Sequence, residues 1–342
     1  MVLVTGGTGL LGSYILYYLL REGRNVRAIR RSSSSLEQTK FIFGFLAHFH
    51  KDNFDPDELL SQVDWRVSSL SDTETLNDCF NGVTEVYHAA ALVSFNSTRR
   101  RESLETNVEG TKNIVNISLH HNVKKFGYIS SVAAINRKRN AIADENSALE
   151  GNRFASIYSE TKYRAEMEVW RAWGEGLPVV IVNPAIVLGW GDFSKGSIHL
   201  FDKVGMGFKF YPPGSNGFAD ARDVARALIA LMKKDNAVGE RYIIVGGHLS
   251  YKDLFHKIAR CLDVSPPGIA VGSTLSYAVW LASGAKTLLF GGEPFLTRSI
   301  IDTICNDYRY SSEKLLKTID FQFTPLDETI AQACEAYKAG RK

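Results

Sequence analysis

Two short segments of the 342-residue chain, "YSETK" at 158–162 and "YSSEK" at 310–314, carry tyrosine and lysine four positions apart. On a helix that spacing stacks both side chains on one face. The pairing has a chemical use. A free phenol releases its proton near pH ~10, and a neighbouring ammonium favours phenolate and brings that value toward the working range. With a hydroxyl to hold a substrate oxygen, such a tyrosine protonates a carbonyl oxygen as hydride arrives at carbon, or takes the proton back in the reverse direction.

Context separates the two segments. "YISSVAAI" at 128–135 reads as a strand ending in Ser130 and Ser131, and Tyr158 follows Ser131 by 27 residues on the next helical pattern. Ser131, Tyr158 and Lys162 are therefore the candidate catalytic set, with Tyr158 as general acid/base. Tyr310 and Lys314 lie far along the chain with no serine-ended strand beside them, and are expected at the surface or at a hinge.

The other chemically telling segment is "VLVTGGTGLLGSYI" at 2–15. A strand ends at Thr5, and an amphipathic helix follows without a break. Gly6 permits the tight turn, Gly9 lets the backbone approach a pyrophosphate, and Gly12 lets the helix pack close to the strand. The helix N-terminus then presents unpaired N–H groups and partial positive charge to the anion. This is a dinucleotide cradle. Sites that prefer NAD place an acid about 20 residues further on, where it meets the ribose 2′-hydroxyl. Here "NVRAIRRSSSS" puts Arg30 and Arg31 at that place, followed by Ser32 and Ser33. Guanidinium groups attract the extra 2′-phosphate, so NADP is the expected cofactor and NAD the alternative.

The elements that must position these groups alternate. Strand candidates are 2–5, 26–30, 65–68, 85–88, 125–130 and 179–182, and between them lie "LLGSYILYYLLREG", "DTETLNDCFNG", "NVEGTKNIVNISLHHN" and "ETKYRAEMEVWRAWGEG". Each of the latter repeats apolar residues at three- and four-residue steps. Strand–helix alternation implies an α/β fold: a doubly wound parallel sheet of Rossmann type, binding ligands at the carboxyl ends of its strands. After residue 184 the pattern turns irregular, with a turn-rich "PPGSNG" at 212–217 and a further strand candidate at 241–247. The expected division is a dinucleotide-binding domain over 1–183, to which 218–250 returns. A smaller, discontinuous C-terminal substrate lobe then comprises 184–217 and 251–342. The stretch 32–64 is long for a connection in such folds, and its "FIFGFL" is expected to pack on the sheet.

Composition narrows the partners. With 45% hydrophobic and 23% charged residues and a net charge of +3, the chain reads as a soluble protein with a large core and without a nucleic-acid partner. The basic run Arg99–Arg100–Arg101 reads as a solvated loop or helix start rather than a binding patch. Cys79, Cys261, Cys305 and Cys334 are scattered, as reduced thiols would be, and no His or Cys spacing supports a metal. The apolar stretch 269–292 holds 17 residues before Lys286, short of the ~20 a spanning helix needs, and is expected to be a packed helix. The expected location is the cytoplasm with no membrane partner; a homodimer through helices flanking the sheet is compatible with this class.

Taken in order, TGGTGLLG, "HAAA" at 88–91, "NVEGT" at 107–111, "YISS" at 128–131, YSETK, "NPAIVLG" at 183–189 and "ARDVA" at 221–225 resemble the extended short-chain dehydrogenase/reductases over most of the chain. "VRAIRR" at 26–31 and the hydrophobic tail segment resemble the branch of dihydroflavonol reductases and 3β-hydroxysteroid dehydrogenases. The resemblance implies that Thr5, Leu10 and Leu11 join the glycines at the cofactor, and that Ala89, Ala90 and Ala91 line it where side chains must be small. It implies that Lys162 also holds the nicotinamide ribose and that Asn183, Pro184 and Ile186 border the nicotinamide amide. Asn107 would order the backbone behind the site, and Asp223 would be structural. One departure stands out: where the family's third strand ends in Gly-Asp-Leu, the Asp meeting adenine, this chain has Ser68, Ser69 and Leu70. Ser69 and Leu70 then take that place beside the cofactor.

Three functions compete. The first is an NADP(H)-dependent oxidoreductase interconverting a ketone or aldehyde with its alcohol on a small-molecule substrate. The second is a nucleotide-sugar epimerase that recycles its cofactor within one turnover. Dehydration is disfavoured, because Val132, Ala133 and Ala134 stand where the resemblance implies an acidic pair. The third, a cofactor-binding regulator, leaves Ser131, Tyr158 and Lys162 without a use. Phe201, Phe208, Phe210, Tyr211, Phe218 and Trp280 suggest a hydrophobic pocket, although aromatics so spaced also build cores.

Overall fold

Alternation along the strands sets the layers of the computed structural model, which describes residues 1–342 except 53–54, 96, 137–140, 148–153, 273–297 and 341–342. In β1 (Val2–Thr5), Val2 and Val4 enter one apolar cluster while Leu3 enters another on the opposite face. In β6 (Val179–Pro184) Val180 and Val182 face the first cluster, and Val179 and Ile181 the second. Successive side chains of a strand point to opposite faces, so such fully apolar strands need cover on both sides.

The first face is covered by α1 (Leu10–Arg21) and α9 (Ala221–Met232). The second is covered by α4 (Thr73–Cys79), α6 (Gly110–His120) and α7 (Ile157–Gly174). The remaining strands are β2 (Val26–Arg30), β3 (Asp64–Val67), β4 (Glu85–His88), β5 (Lys125–Ile129) and β9 (Glu240–Ile244). Together they form a seven-stranded, wholly parallel sheet in the order β9-β6-β5-β4-β1-β2-β3. The chain reverses direction across the sheet between β1 and β4, which opens a crevice at their carboxyl ends. This is the Rossmann-type architecture that the alternation implied.

Within 218–250, α9 covers the large sheet and β9 forms its edge strand. Strand β8 (Ser215–Asp220) instead pairs with β7 (Ile186–Leu188) and β10 (Gly247–Ser250) in a separate three-stranded sheet. Helices α8 (His199–Gly205), α10 (Tyr251–Leu262) and α11 (Leu326–Ala339) pack over that small sheet. The two units are tied by a buried ion pair. Asp220 accepts from Arg222 Nε at 2.9 Å and from Thr329 Oγ1 of α11 at 2.7 Å, and the Arg222 guanidinium lies over Phe49 and Trp190. Thr329→Val, which keeps the volume and removes that hydroxyl, should lower stability by about 1–2 kcal/mol. An unchanged Tm would remove Thr329 from this tie.

The long stretch after β2 is helical. "FIFGFL" lies in α2 (Glu37–His50), and Ile42, Phe43, Leu46 and Ala47 bury against α1 rather than lying directly on the sheet; α3 (Pro56–Ser61) follows. The basic run begins α5 (Arg100–Leu104), with Arg99, Arg100 and Arg101 paired to Glu102, Glu160 and Glu105. Trp280 and most of the apolar stretch 269–292 lie outside the described residues. Among the described residues, no helix is long and apolar enough to cross a membrane.

Candidate active site

The turn between β1 and α1 is built so tightly that only glycine fits. Gly6 has φ +69°, and a Cβ there would meet Ala90 Cα at 2.7 Å; at Gly12 a Cβ would fall 2.0 Å from the Gly6 carbonyl oxygen. Gly9 caps α1 without a side chain and no acid sits in the first turn, so the helix's first N–H groups and its positive end face the crevice. Thr5 braces the loop opposite: its Oγ1 lies 2.6 Å from His88 Nδ1 and accepts from Ala90 N at 3.3 Å. Ala89, Ala90 and Ala91 thus run past the cradle, with Ala91 exposed.

The candidate catalytic set converges at the ends of β5 and the start of α7. Ser131 follows β5 and caps the short helical turn Val132–Ala134, its Oγ accepting from Ala133 N at 3.1 Å. Ser156 opens α7 with a capping box, placing Tyr158 in the first turn and Lys162 one turn on. Ser131 hydrogen-bonds the Tyr158 phenol, and this contact favours phenolate, but burial acts more strongly and holds the phenol above its usual range. The expectation that Lys162 lowers Tyr158 is thus not what the protein groups do. Lys162 Nζ donates to Ile129 O at 2.7 Å and to Tyr128 Oη at 3.3 Å instead. Burial pulls the ammonium down to about 8, against the opposing charge of Glu166.

A family model described as the NAD dependent epimerase/dehydratase family matches residues 2–246. The chain belongs to that family. Its relatives include "Sterol demethylase protein B" of Methylococcus capsulatus, 26% identical over 82% of this chain and 80% of that protein. A Synechocystis protein bearing a dihydroflavonol 4-reductase name is 27% identical over 96% of this chain and 92% of its own. Others carry cinnamoyl-CoA reductase and 3-beta-hydroxysteroid dehydrogenase names, in line with the branch resemblance. The crystal structure of gox2253 superposes with a TM-score of 0.81 at 27% identity, over 99% of this chain and 98% of that one.

For a member of the epimerase/dehydratase family, the other sequence-derived positions fall as follows. Arg30 ends β2 with its Nε buried and unpartnered, while Nη1 donates to Ser34 O at 3.3 Å; Arg31 and Ser32 are exposed. A cradle that a Cβ would fill fits a dinucleotide's pyrophosphate, and the orphaned guanidinium donor of Arg30 is left free to meet an anionic or hydroxyl group of it. Ser69 is exposed, Ser68 bonds Thr75 Oγ1 at 2.7 Å, and the Leu70 carbonyl accepts from Asn113 at 2.8 Å. Asn107 clamps Leu92 from both sides, accepting its N–H at 2.7 Å and donating to its carbonyl at 2.9 Å, and also reaches Thr161. Asn183 donates to the Ser131 carbonyl at 3.1 Å with its Oδ1 left unpartnered, Pro184 ends β6, and Ile186 opens β7. Asp223 is fully buried and accepts from Thr324 N at 2.8 Å, a tie to the C-terminal segment.

One reading needs correction. Tyr310 is not at the surface: it is 4% exposed, packed with Val132, Ile135, Ala185 and Val245 and stacked on His248, while Lys314 pairs with Glu240. Its strand, Arg309–Tyr310, pairs with Ile142–Ala143 and so draws the residue inward. The aromatic set is mostly core, the commoner role of aromatics so spaced: Phe201 of α8 and Phe218 of β8 are fully buried, Phe208 and Tyr211 pack against their cluster, and Phe210 is exposed.

Residue reasoning passed over four groups that the fold brings here. His88 bridges Thr5 and Thr111 Oγ1 (2.9 Å) and stacks on Tyr128; burial, then Lys162, holds it neutral, down to about 3. Gln38 of α2 donates to Thr8 O at 2.9 Å and accepts from Asp192 N at 3.0 Å, joining the glycine loop to the small lobe. Phe95 packs on the Tyr158 ring, centroids 5.4 Å apart, and is exposed together with Val93. Glu166 lies fully buried one turn past Lys162. Only "HAAA" and the i+4 spacing of Glu166 left a trace in the sequence.

Proposed function

We propose that the chain is an NADP(H)-dependent oxidoreductase that interconverts a ketone or aldehyde and its alcohol on a hydrophobic substrate, with Tyr158 as general acid/base. The observation that carries this reading is the gathering of Ser131, Tyr158 and Lys162 at the end of β5 and the first turns of α7, with the exposed Phe95 packed on the Tyr158 ring. Relatives bearing sterol demethylase, dihydroflavonol 4-reductase and cinnamoyl-CoA reductase names, each of which refers to a compound with an apolar ring system, support the substrate class.

In this reading Thr5, Gly6, Gly9, Leu10, Leu11 and Gly12 hold the pyrophosphate. Arg30, Arg31 and Ser32 take the 2′-phosphate, Ser69 and Leu70 the adenine side, and Ala89–Ala91 the middle. Asn107 steadies Leu92 behind them, while Asn183, Pro184 and Ile186 border the nicotinamide. Residues 1–183 with 218–250 serve the cofactor, and 184–217 with 251–342 the substrate. When bound, the dinucleotide supplies or accepts the hydride. Ser131 Oγ holds the substrate oxygen, and Tyr158 Oη gives it a proton; burial keeps that phenol protonated at neutral pH, ready for the reducing direction. Lys162, held by Ile129 and Tyr128, supplies positive charge behind the site and meets the ribose. The enzyme works in the cytoplasm, whose reducing conditions suit its four cysteines scattered along the chain.

A panel of ketones, aldehydes and nucleotide sugars, followed by nicotinamide absorbance with product analysis, tests the reaction. Net NADPH consumption on a carbonyl is the expected result; a converted sugar without net cofactor change would replace this reading with epimerisation. NADPH should bind more tightly than NADH, and Arg30→Ala with Arg31→Ala should cut that preference by roughly 10–100-fold, the worth of charge-assisted hydrogen bonds. Equal affinity of the wild-type protein for both dinucleotides would end the NADP assignment.

A further inference from the structure

Behind the site lies a carboxylate for which the proposed chemistry has no direct use. Glu166 of α7 is 1% exposed. Its Oε2 accepts from Ser130 Oγ at 2.5 Å and Asn183 Nδ2 at 2.8 Å, and its Oε1 from Arg241 Nη1 at 3.1 Å and Trp170 Nε1 at 3.3 Å. Burying a carboxylate is costly unless donors surround it, and here four do. Two of them belong to the strand ends that form the site. Ser130 precedes Ser131, and Asn183, at the end of β6, also bonds the Ser131 carbonyl. The preceding turn of the same helix carries Lys162, whose ammonium sits among Tyr128, the Ile129 carbonyl and the neutral His88.

We propose that Glu166 is a positioning residue: its buried carboxylate joins the ends of β5 and β6 to α7 and keeps Lys162 cationic at the pH where the site works. This deepens the oxidoreductase reading, on which its catalytic consequence rests. Geometry and charge support the electrostatic half: Lys162 and Glu166 stand four residues apart on one face of α7, both buried, and while burial lowers the ammonium, Glu166 opposes that fall. The other ionisable groups facing Lys162 are His88 from β4, Tyr128 from β5 and Tyr158 from α7. Each is neutral in this range, since burial lowers the histidine and raises both phenols. Arg241 from β9 faces Glu166 on its far side and also donates to the Glu145 carbonyl, so it moderates the carboxylate without reaching Lys162.

The sign follows. A lysine whose value is lowered loses its charge as pH rises through that value, and removing Glu166 brings the loss to lower pH. The test is the 13Cε shift of Lys162 in 13C-lysine-labelled protein without added cofactor, its resonance assigned by its disappearance in Lys162→Met. In Glu166→Gln the titration midpoint should fall by at least ~1 pH unit. The alkaline limb of kcat/KM should move down by the same amount, with activity at pH ~6 within about threefold of wild type. An equal loss at every pH with an unchanged Lys162 midpoint would overturn the proposal, since packing alone would then account for it. Should Glu166→Gln fail to fold, Arg241→Gln replaces it: removing that cation should raise the midpoint, and a midpoint that stays or falls refutes the coupling. A wild-type protein inert toward carbonyls whose midpoint still shifts in Glu166→Gln would overturn the oxidoreductase reading and leave the Glu166–Lys162 coupling supported.

Discussion

Tyr158→Phe should lower kcat/KM by about 10³-fold, in the middle of the range that one positioned acid contributes, and should leave cofactor affinity within about twofold. The substitution removes one oxygen and keeps the ring, so the packing against Phe95 survives. Only the proton donor and its hydrogen bond with Ser131 are lost. Fluorescence titration with NADPH separates binding from turnover. Tyr310→Phe is the matched control: that ring is buried in the cluster of Val132 and Ala185, and its activity should remain within about threefold of wild type. The reverse pattern, an inert Tyr310→Phe protein and an active Tyr158→Phe protein, would assign the chemistry to the other Tyr-x-x-x-Lys segment.

Gly12→Ala should abolish measurable dinucleotide binding, weakening it by more than ~100-fold, and destabilise the fold by roughly 3 kcal/mol. The added methyl would lie 2.0 Å from the Gly6 carbonyl oxygen and 2.6 Å from its carbon, both backbone atoms that cannot swing aside as a side chain can. Either the loop opens or α1 retreats from β1, and both destroy the cradle. Gly174→Ala is the contrast. That glycine ends α7 with no atom within 4 Å of a built Cβ, so alanine there should be neutral or add about 0.5–1 kcal/mol. Calorimetry and thermal melting distinguish the two; a Gly12→Ala protein that still binds NADPH tightly would show that the loop is not the phosphate site.

Much of the frame is legible in the sequence. The apolar runs of β1, β2 and β4 are legible to the residue, because each is flanked by turn signals and by a helix of contrasting period. The ends of β3 and β5 differ by a residue from the sequence pattern, since strand termination depends on the neighbouring strand rather than on local preference. The glycine loop is legible because its spacing is a backbone requirement, and such requirements are written in residue type. The burial of Tyr310 is hidden for the opposite reason: whether an aromatic is covered depends on which distant strand pairs with it, and Ile142–Ala143 lies more than 160 residues away along the chain.

The same distinction runs through the site. Residue types and spacing alone determined the parallel α/β plan and the glycine turn, because each follows from local geometry: alternating periods, or a turn that admits only glycine. The preference for Tyr158 over Tyr310, whose spacing to lysine is the same, came from the serine-ended strand that precedes Tyr158. Tertiary structure alone decided the charge states. Lys162 is turned to Ile129 and Tyr128, His88 is neutral between Thr5 and Thr111, and Glu166 is surrounded by donors from three strands and its own helix. Electrostatic energies depend on burial and on groups brought together from remote parts of the chain, and no local pattern encodes either.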